Sequence, residues 1–325
     1  MSTYLITGAA GFIAFKVTDL LLEEGHTVIG VDNLNSAYDP RLKKWRLDQL
    51  KKKKNFIFFQ QDICDRQALD EIARKYKSFQ AVINLAARAG VRYSVEDPWA
   101  FLDSNVTGTL NLLEFCRNNE IGKFILASTS SIYGLNPPLP TSEEADSSRP
   151  LQPYAASKKA AEVLAHSYHH LYSLDITVFR YFTVYGPAGR PDLALFRFVQ
   201  WISEGRPVQV TGDGTQSRGF TYLDDIARGT LLGLKPLGYE IINLGGHQTV
   251  SVNELISRVE KLTGKRAKIE YIPLHCADMH ASWADTSKAR TLLGWEPKVT
   301  LEEGIPALVD WYQQERRWAS QIVTA

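Results

Sequence analysis

The sequence predicts an α/β fold: a doubly wound parallel sheet followed by a smaller mixed lobe. Three observations carry that prediction. Short apolar runs alternate with longer stretches of helical periodicity through the first 180 residues. Those runs are nearly continuous, as strands buried on both faces require. A glycine-rich turn separates the first such run from the first helical stretch. Strand–helix alternation of this kind implies right-handed crossovers with helices on both faces of the sheet.

In order, residues 4–6, 28–31, 56–60, 81–85 and 124–127 read as strands, rich in Val, Ile, Leu and Phe. Helical stretches start near residues 11, 40, 65 and 98, and in the last of these Leu102, Val106, Leu110 and Leu113 recur at one-face spacing. A further helix covers 152–172 and a strand 176–179, which closes a core domain of residues 1–180. From 181 to 325 the rhythm is irregular, punctuated by Gly186-Pro187, Gly189, Pro191 and Gly212–Gly214. Helices are expected at 193–204, 223–234, 252–262 and 301–316, the last two opened by the capping boxes Ser251…Glu254 and Thr300…Glu303. This second unit reads as a small mixed α/β lobe, with some chain crossing back to the core.

Composition narrows the function. The 325 residues carry 37 basic and 36 acidic side chains, so there is no net field to recruit nucleic acid or an anionic membrane. Three dispersed cysteines, Cys64, Cys116 and Cys276, form no CxxC and fit neither a disulfide framework nor a structural zinc site. No apolar run approaches the ~20 residues that span a bilayer, and Met1-Ser2-Thr3 leads directly into a strand without a basic leader. A cytoplasmic, unprocessed protein without a bound metal is expected. His166, His169 and His170 lack an acid at metal-ligand spacing, and they read as surface or interface residues.

The first chemical motif is Thr7-Gly8-Ala9-Ala10-Gly11-Phe12-Ile13-Ala14. Glycine at 8 permits a tight turn, glycine at 11 lets backbone N–H groups approach a pyrophosphate, and the small Ala14 lets the helix pack on the sheet. The helix N-terminus then offers unpaired donors to phosphates. Asp32 follows the second strand about twenty residues on, where it can hold both hydroxyls of an adenosine ribose and repel a 2′-phosphate. A Rossmann-type core binding NAD is therefore expected.

The second motif is Tyr154-Ala155-Ala156-Ser157-Lys158 on the long helix, which puts phenol and ammonium one turn apart on one face. Lowering a phenol from about 10 to neutrality needs roughly 4 kcal/mol of differential stabilisation, and a neighbouring ammonium and an oxidised nicotinamide both act in that direction. Ser128-Thr129-Ser130-Ser131 ends the fifth strand, at the carboxyl edge where ligands of such folds bind. Thr129 could share a substrate oxygen with Tyr154.

Together these residues resemble the extended short-chain dehydrogenase/reductase family, in its NAD-dependent sugar-nucleotide epimerase/dehydratase branch. Several stretches look like those of UDP-glucuronate 4-epimerases: Val31-Asp32-Asn33-Leu34-Asn35 with Tyr38-Asp39, Leu85-Ala86-Ala87-Arg88-Ala89-Gly90-Val91-Arg92, Phe182-Thr183-Val184-Tyr185-Gly186-Pro187 running into Gly189-Arg190-Pro191-Asp192, Phe220-Thr221-Tyr222-Leu223-Asp224-Asp225, and Trp283-Ala284-Asp285. The resemblance implies that Gly8, Gly11, Phe12, Ile13, Asp32, Asn33, Asp62, Ile63, Leu85, Ala86, Ala87, Tyr154 and Lys158 surround NAD. It also implies that Thr129 and Tyr154 act on the sugar, with Ser130 and Thr183 beside it. Arg218 would then meet the UDP pyrophosphate, Asp278 the uridine ribose, and Arg190 the sugar carboxylate, with Arg92 and Arg88 as alternatives to Arg190. Helices near 98–117 and 152–172 would pair across a homodimer. The chain departs from the family pattern at Ala14, Asn84, Ala188, Gly219 and His275-Cys276-Ala277-Asp278.

Related dehydratases place an Asp-Glu pair after the active-site Thr; Ser130-Ser131 cannot supply a carboxylic acid there. Reversible oxidation at C4 is the chemistry that remains. The expected activity is interconversion of UDP-glucuronate and UDP-galacturonate. UDP-glucose 4-epimerase, UDP-glucuronate decarboxylase and a degenerate NAD-binding scaffold stay open as rivals.

Overall fold

The computed structural model describes residues 1–246, 248–273 and 281–324. Its strands are β1 (Thr3–Thr7), β2 (Thr27–Val31), β3 (Phe56–Phe59), β4 (Ala81–Asn84), β5 (Lys123–Thr129), β6 (Asp175–Tyr181), β7 (Thr183–Tyr185), β8 (Pro207–Thr211), β9 (Ser217–Tyr222), β10 (Tyr239–Leu244), β11 (Thr249–Ser251), β12 (Lys268–Ile272) and β13 (Ala281–Ser282). The α-helices are α1 (Phe12–Glu23), α2 (Pro40–Leu50), α3 (Arg66–Lys75), α4 (Tyr93–Glu96), α5 (Pro98–Leu102), α6 (Gly108–Asn118), α7 (Pro153–Tyr172), α8 (Ala194–Glu204), α9 (Leu223–Leu232), α10 (Val252–Thr263), α11 (Ser287–Leu293), α12 (Leu301–Gln314) and α13 (Arg316–Ala319).

Seven parallel strands form the main sheet in the order β10-β6-β5-β4-β1-β2-β3. The order reverses between β1 and β4, which opens a crevice at the carboxyl ends of the strands. Two apolar layers sandwich the sheet, one led by Ile6, Val17, Leu21 and Phe179, the other by Leu5, Ile29, Leu112 and Phe124. β10 returns to the outer edge of this sheet beside β6, in register from Tyr239↔Ile176 to Leu244↔Tyr181, so the chain beyond residue 181 crosses back to complete the core. A third core, around Leu195, Trp201, Leu255, Leu308 and Trp311, belongs to the small lobe. There β7, β9, β11 and β13 make a mixed sheet, and β8 pairs with β12. Both expected capping boxes are present, at the starts of α10 and α12. No helix among the described residues is long and apolar enough to cross a membrane.

One element differs from expectation. The helix starting near residue 98 is broken into α5, a wide π turn over Asp103–Thr107, and α6. Asn105 is fully buried in that turn, and it accepts from Arg88 N (2.9 Å) and donates to Arg88 O (3.0 Å) and Ser157 Oγ (2.9 Å). Satisfying a buried amide this way overrides helical register. Leu102 and Leu110 consequently face outward, whereas Leu112, Leu113 and Phe115 turn to the core.

Candidate functional site

The crevice is a cavity of about 340 Å³, walled by the loops after β1, β2, β3, β4 and β5, the face of α7, and the segment from Tyr181 to Leu193. Gly8 enters it in a left-handed turn (φ 68°), and a Cβ there would lie 2.8 Å from the Ala86 backbone, so only glycine lets the β1 and β4 loops meet. No side chain caps α1 at Gly11, so the first turn of the helix keeps its N–H groups for a ligand. Asn84, one of the departures from the family pattern, accepts from Thr7 Oγ1 (2.8 Å) and donates to Thr109 Oγ1 (3.1 Å), which ties β1, β4 and α6 beneath the loop.

Along the β2–β3 side, Asp32 accepts backbone bonds from Ala10 N (3.1 Å) and Leu34 N (2.8 Å). Asn33 Nδ2 donates to Asp62 Oδ2 (2.7 Å), and Asp62 Oδ1 accepts from Cys64 N (2.8 Å). These carboxylates are held in one orientation by groups that leave lone pairs turned to the cavity. Lys43 Nζ stands 3.6 Å from Asp32 Oδ1 and donates to Asn35 Oδ1 (3.0 Å). Sequence reasoning missed Lys43, Asn35 and Tyr38 as cavity residues. A signal was available: residues 42, 43, 46, 47 and 50 share one face of α2, and two of them are cations within an otherwise apolar stripe.

On the sugar side, α7 starts at Pro153 and presents Tyr154 and Lys158 to the cavity. Thr129 Oγ1 donates to Ser131 Oγ and accepts from Ser131 N, both at 3.2 Å, and it lies against the Tyr154 phenol. Burial pushes that phenol up from 10, and the Thr129 contact and the Arg190 charge only partly offset it. The expected depression of Tyr154 is therefore not supplied by the protein's own groups. The low-dielectric wall that excludes water also penalises the phenolate. Burial likewise lowers Lys158 to about 8, with Glu162 drawing it back up. The Lys158 ammonium has no hydrogen-bond partner among the described residues, so a buried donor faces the cavity in need of an acceptor.

Under Lys158 lies a closed polar network. Glu162 accepts from Ser128 Oγ (2.6 Å), Arg180 Nε (3.0 Å) and Arg180 Nη2 (2.8 Å), while Arg180 Nη1 donates to Tyr133 Oη (2.9 Å). Burial would raise the Glu162 carboxyl, but Arg180 outweighs it and the pKa falls. The network fixes α7 to β5 and β6, and with them the spacing of Tyr154 and Thr129.

Arg190 reaches the same cavity from the turn after β7. Its Nε donates to Asp192 Oδ1 (3.0 Å), its Nη2 to Asp192 Oδ2 and to Ala89 O (3.3 Å), and Nη1 has no protein partner among the described residues. Burial lowers its pKa but Asp192 more than compensates, so the guanidinium stays charged. One side of the fork is thus committed to Asp192, and Nη1 is the edge a ligand can engage.

Of the residues expected at the site, Gly8, Gly11, Phe12, Ile13, Asp32, Asn33, Asp62, Ile63, Leu85, Ala86, Ala87, Thr129, Ser130, Tyr154, Lys158, Thr183 and Arg190 all line this one cavity. Three are elsewhere: Arg88 is half-buried in the loop after β4, Arg92 is exposed at the start of α4, and Arg218 is the second residue of β9, opposite Val250 and Ser282. Asp278 lies outside the described residues. Gly219, another departure, has no room for a side chain: a Cβ would stand 2.3 Å from Gly246 O.

The family model for GDP-mannose 4,6 dehydratase matches residues 5–308. The chain belongs to that family. The extended short-chain dehydrogenase/reductase resemblance is borne out with it. Among family members, a UDP-glucuronate 4-epimerase from Thermodesulfobacterium geofontis is 58% identical, over 97% of each chain. The crystal structure of the Bacillus cereus UDP-glucuronic acid 4-epimerase with UDP-glucuronic acid and NAD superposes with a TM-score of 0.90 at 37% identity, covering 96% of this chain and 99% of that one. A UDP-glucose 4-epimerase from Thermotoga maritima with UDP-glucose gives a TM-score of 0.89 at 33% identity, over 97% and 99%. The family takes its name from a dehydratase, yet this member carries Ser130 and Ser131 where elimination would need carboxylic acids.

Proposed function

We propose that the protein is an NAD-dependent 4-epimerase that interconverts UDP-glucuronate and UDP-galacturonate. The observation that carries this reading is the convergence, in one cavity, of the Tyr154 phenol, the Thr129 hydroxyl and a charged Arg190 with a free edge, opposite the glycine turn and Asp32, with Ser130 and Ser131 rather than carboxylic acids after Thr129. The cofactor fit rests on the glycine turn, the uncapped start of α1 and the unpartnered Lys158 ammonium. Gly8, Gly11, Phe12 and Ile13 would hold its pyrophosphate, Asp32 and Asn33 its adenosine ribose, Asp62 and Ile63 its adenine side, and Lys158 its nicotinamide ribose. When bound, NAD accepts hydride from C4 of the sugar and returns it.

The chain's own residues supply the rest. Tyr154 removes the C4 hydroxyl proton and gives it back once the 4-keto sugar has presented its other face. Thr129 holds the same oxygen and Lys158 adds a positive charge one helical turn along α7; because the protein's own groups do not by themselves overcome the burial that disfavours the phenolate, an oxidised cofactor would supply the remaining positive charge. A 4-keto uronate is a β-keto acid that can lose CO₂. Nη1 of Arg190, held rigid by Asp192, would select the carboxylate and restrain the rotation that aligns the breaking C–C bond with the carbonyl π system. Ser130 and Thr183 line the same wall. Arg218 and Asp278 remain our candidates for the UDP end, and we treat residues 1–180 and 181–325 as the two working units.

The outward faces of α4, α5, α6 and α7 carry Tyr93, Val95, Trp99 (73% exposed), Leu102, Leu110, Val163, Leu171 and Tyr172. So much exposed apolar surface on one pair of helical layers supports a homodimer through this face. Cysteine usage supports the cytoplasm as its compartment.

The deciding experiment is to incubate the purified protein with UDP-glucuronate and NAD and follow products by NMR. Formation of UDP-galacturonate is expected. Release of CO₂ with a UDP-pentose as main product would replace this reading by decarboxylation, and turnover of UDP-glucose alone would replace it by the neutral-sugar activity.

A further inference from the structure

We infer that Arg46 is a positioning residue for the sugar-side arginine: it ties the Ala188–Gly189 backbone to the dinucleotide loop and so sets where Arg190 stands. The inference rests on the reading of Arg190 as the partner of the substrate carboxylate.

Arg46 lies on α2 with its side chain wholly buried, and among the described residues no carboxylate pairs with it. Burying a guanidinium without a counter-ion costs far more than burying an apolar side chain of the same bulk. Here the charge is solvated instead by polar groups that use all five donors. Nε and Nη2 both donate to Ala188 O (3.0 and 2.6 Å), Nη2 also to Gly189 O (3.3 Å), and Nη1 to Ala10 O (2.9 Å) and Tyr38 Oη (2.8 Å). The ring faces of Phe12 and Tyr38 flank the group at 5.8 and 5.6 Å.

The carbonyls come from two loops that share no strand or helix. Ala10 belongs to the glycine-rich turn, and its N–H is already fixed by Asp32, so Arg46 clamps the rest of a peptide segment that faces the cofactor cleft. Ala188 belongs to the turn that delivers Arg190. Regular structure stops there at Tyr185 and resumes at Ala194. Ala188 sits at φ 52°, a left-handed conformation that a residue with a Cβ holds only when its surroundings impose it. The forked bond from Arg46 to the Ala188 carbonyl is that imposition. Two residues later the Arg190 side chain emerges toward Tyr154 and Asp192. Without Arg46 the turn is free to relax, and Arg190 with it.

The test measures binding of UDP and of UDP-glucuronate to the NAD-loaded protein by calorimetry, for wild type, Arg46→Met, Arg46→Lys, Arg190→Ala and the Arg46→Met/Arg190→Ala double variant. Arg46→Met is expected to weaken UDP-glucuronate by about tenfold or more, as misplacement of a contact by an ångström does. UDP, which has no sugar carboxylate, should stay within about twofold. Arg46→Lys should fall the same way, because a point charge cannot fork between two carbonyls. In the Arg190→Ala background, Arg46→Met should add little. Arg46 variants that keep the wild-type ratio of the two affinities, while Arg190→Ala lowers it, overturn the inference and leave the carboxylate reading intact. Equal loss of both ligands in both Arg46 variants also overturns it, since that marks a general frame. A ratio unchanged by Arg190→Ala itself removes the parent reading, which this arm reports independently of Arg46.

Discussion

Lys158→Met is expected to make the nucleotide-free protein more stable at neutral pH while abolishing turnover. Lys158 is 2% exposed, and burial moves its pKa from the usual 10.5 to about 8 despite the pull of Glu162. Because the folded value lies below the unfolded one, the unfolded chain holds this proton more tightly. The penalty is whole below pH 8, shrinks between pH 8 and 10.5, and vanishes above. At about 1.36 kcal/mol per pH unit the gap amounts to about 3 kcal/mol. A methionine keeps the stem and removes the charge, so it should recover much of that at pH 7. With an unfolding entropy of about 2.1 cal/mol/K per residue, the gain corresponds to a Tm rise of about 4 °C. Calorimetric melts of both proteins at pH 7, 8.5 and 10 measure it, and the difference should narrow as pH rises. Added NAD should raise the wild-type midpoint more than that of the variant, because ribose hydroxyls give the ammonium the acceptors it lacks. A variant no more stable than wild type at pH 7, or an advantage that grows with pH, would refute the view of Lys158 as a destabilising charge kept for function.

Tyr154→Phe should lower kcat by about 10² to 10⁴-fold, the usual worth of a proton-transfer group, with UDP-glucuronate affinity by calorimetry nearly unchanged. Glu162→Gln should cost about 3 kcal/mol in urea denaturation, since it leaves the Arg180 guanidinium buried without its carboxylate, and adding Arg180→Met should restore most of the loss. Trp99→Glu combined with Leu102→Glu, both on the exposed apolar face, should convert a dimer to a monomer in sedimentation without changing the fold by circular dichroism.

The glycine turn, Asp32, and the Tyr154/Lys158 pair were readable because each depends on spacing within one strand–turn–helix or one helix face. Their meeting was readable too, because a doubly wound sheet brings the carboxyl ends of its strands together whatever the loops contain. The broken helix at Asp103–Thr107 was not, since its cause is Asn105 bonding to Arg88 and to Ser157, partners 17 and 52 residues away. The one-face spacing of Leu102, Val106, Leu110 and Leu113 does not survive the break, since Leu102 and Leu110 are exposed while Leu113 is buried in the core.

What the sequence determined unaided is therefore the frame: the order of strands and helices, the dinucleotide turn, the hydroxyl and ammonium pair, and the want of an acid beside Thr129. Tertiary structure alone decided the electrostatics. It placed Arg190 against Asp192 with one edge free, buried Arg46 among carbonyls of two remote loops, and raised Tyr154 where a neighbouring lysine suggested a fall. The reason is physical. Backbone geometry repeats with a short period along the chain, whereas the charge a group feels depends on how much water is excluded and on which distant dipoles close around it.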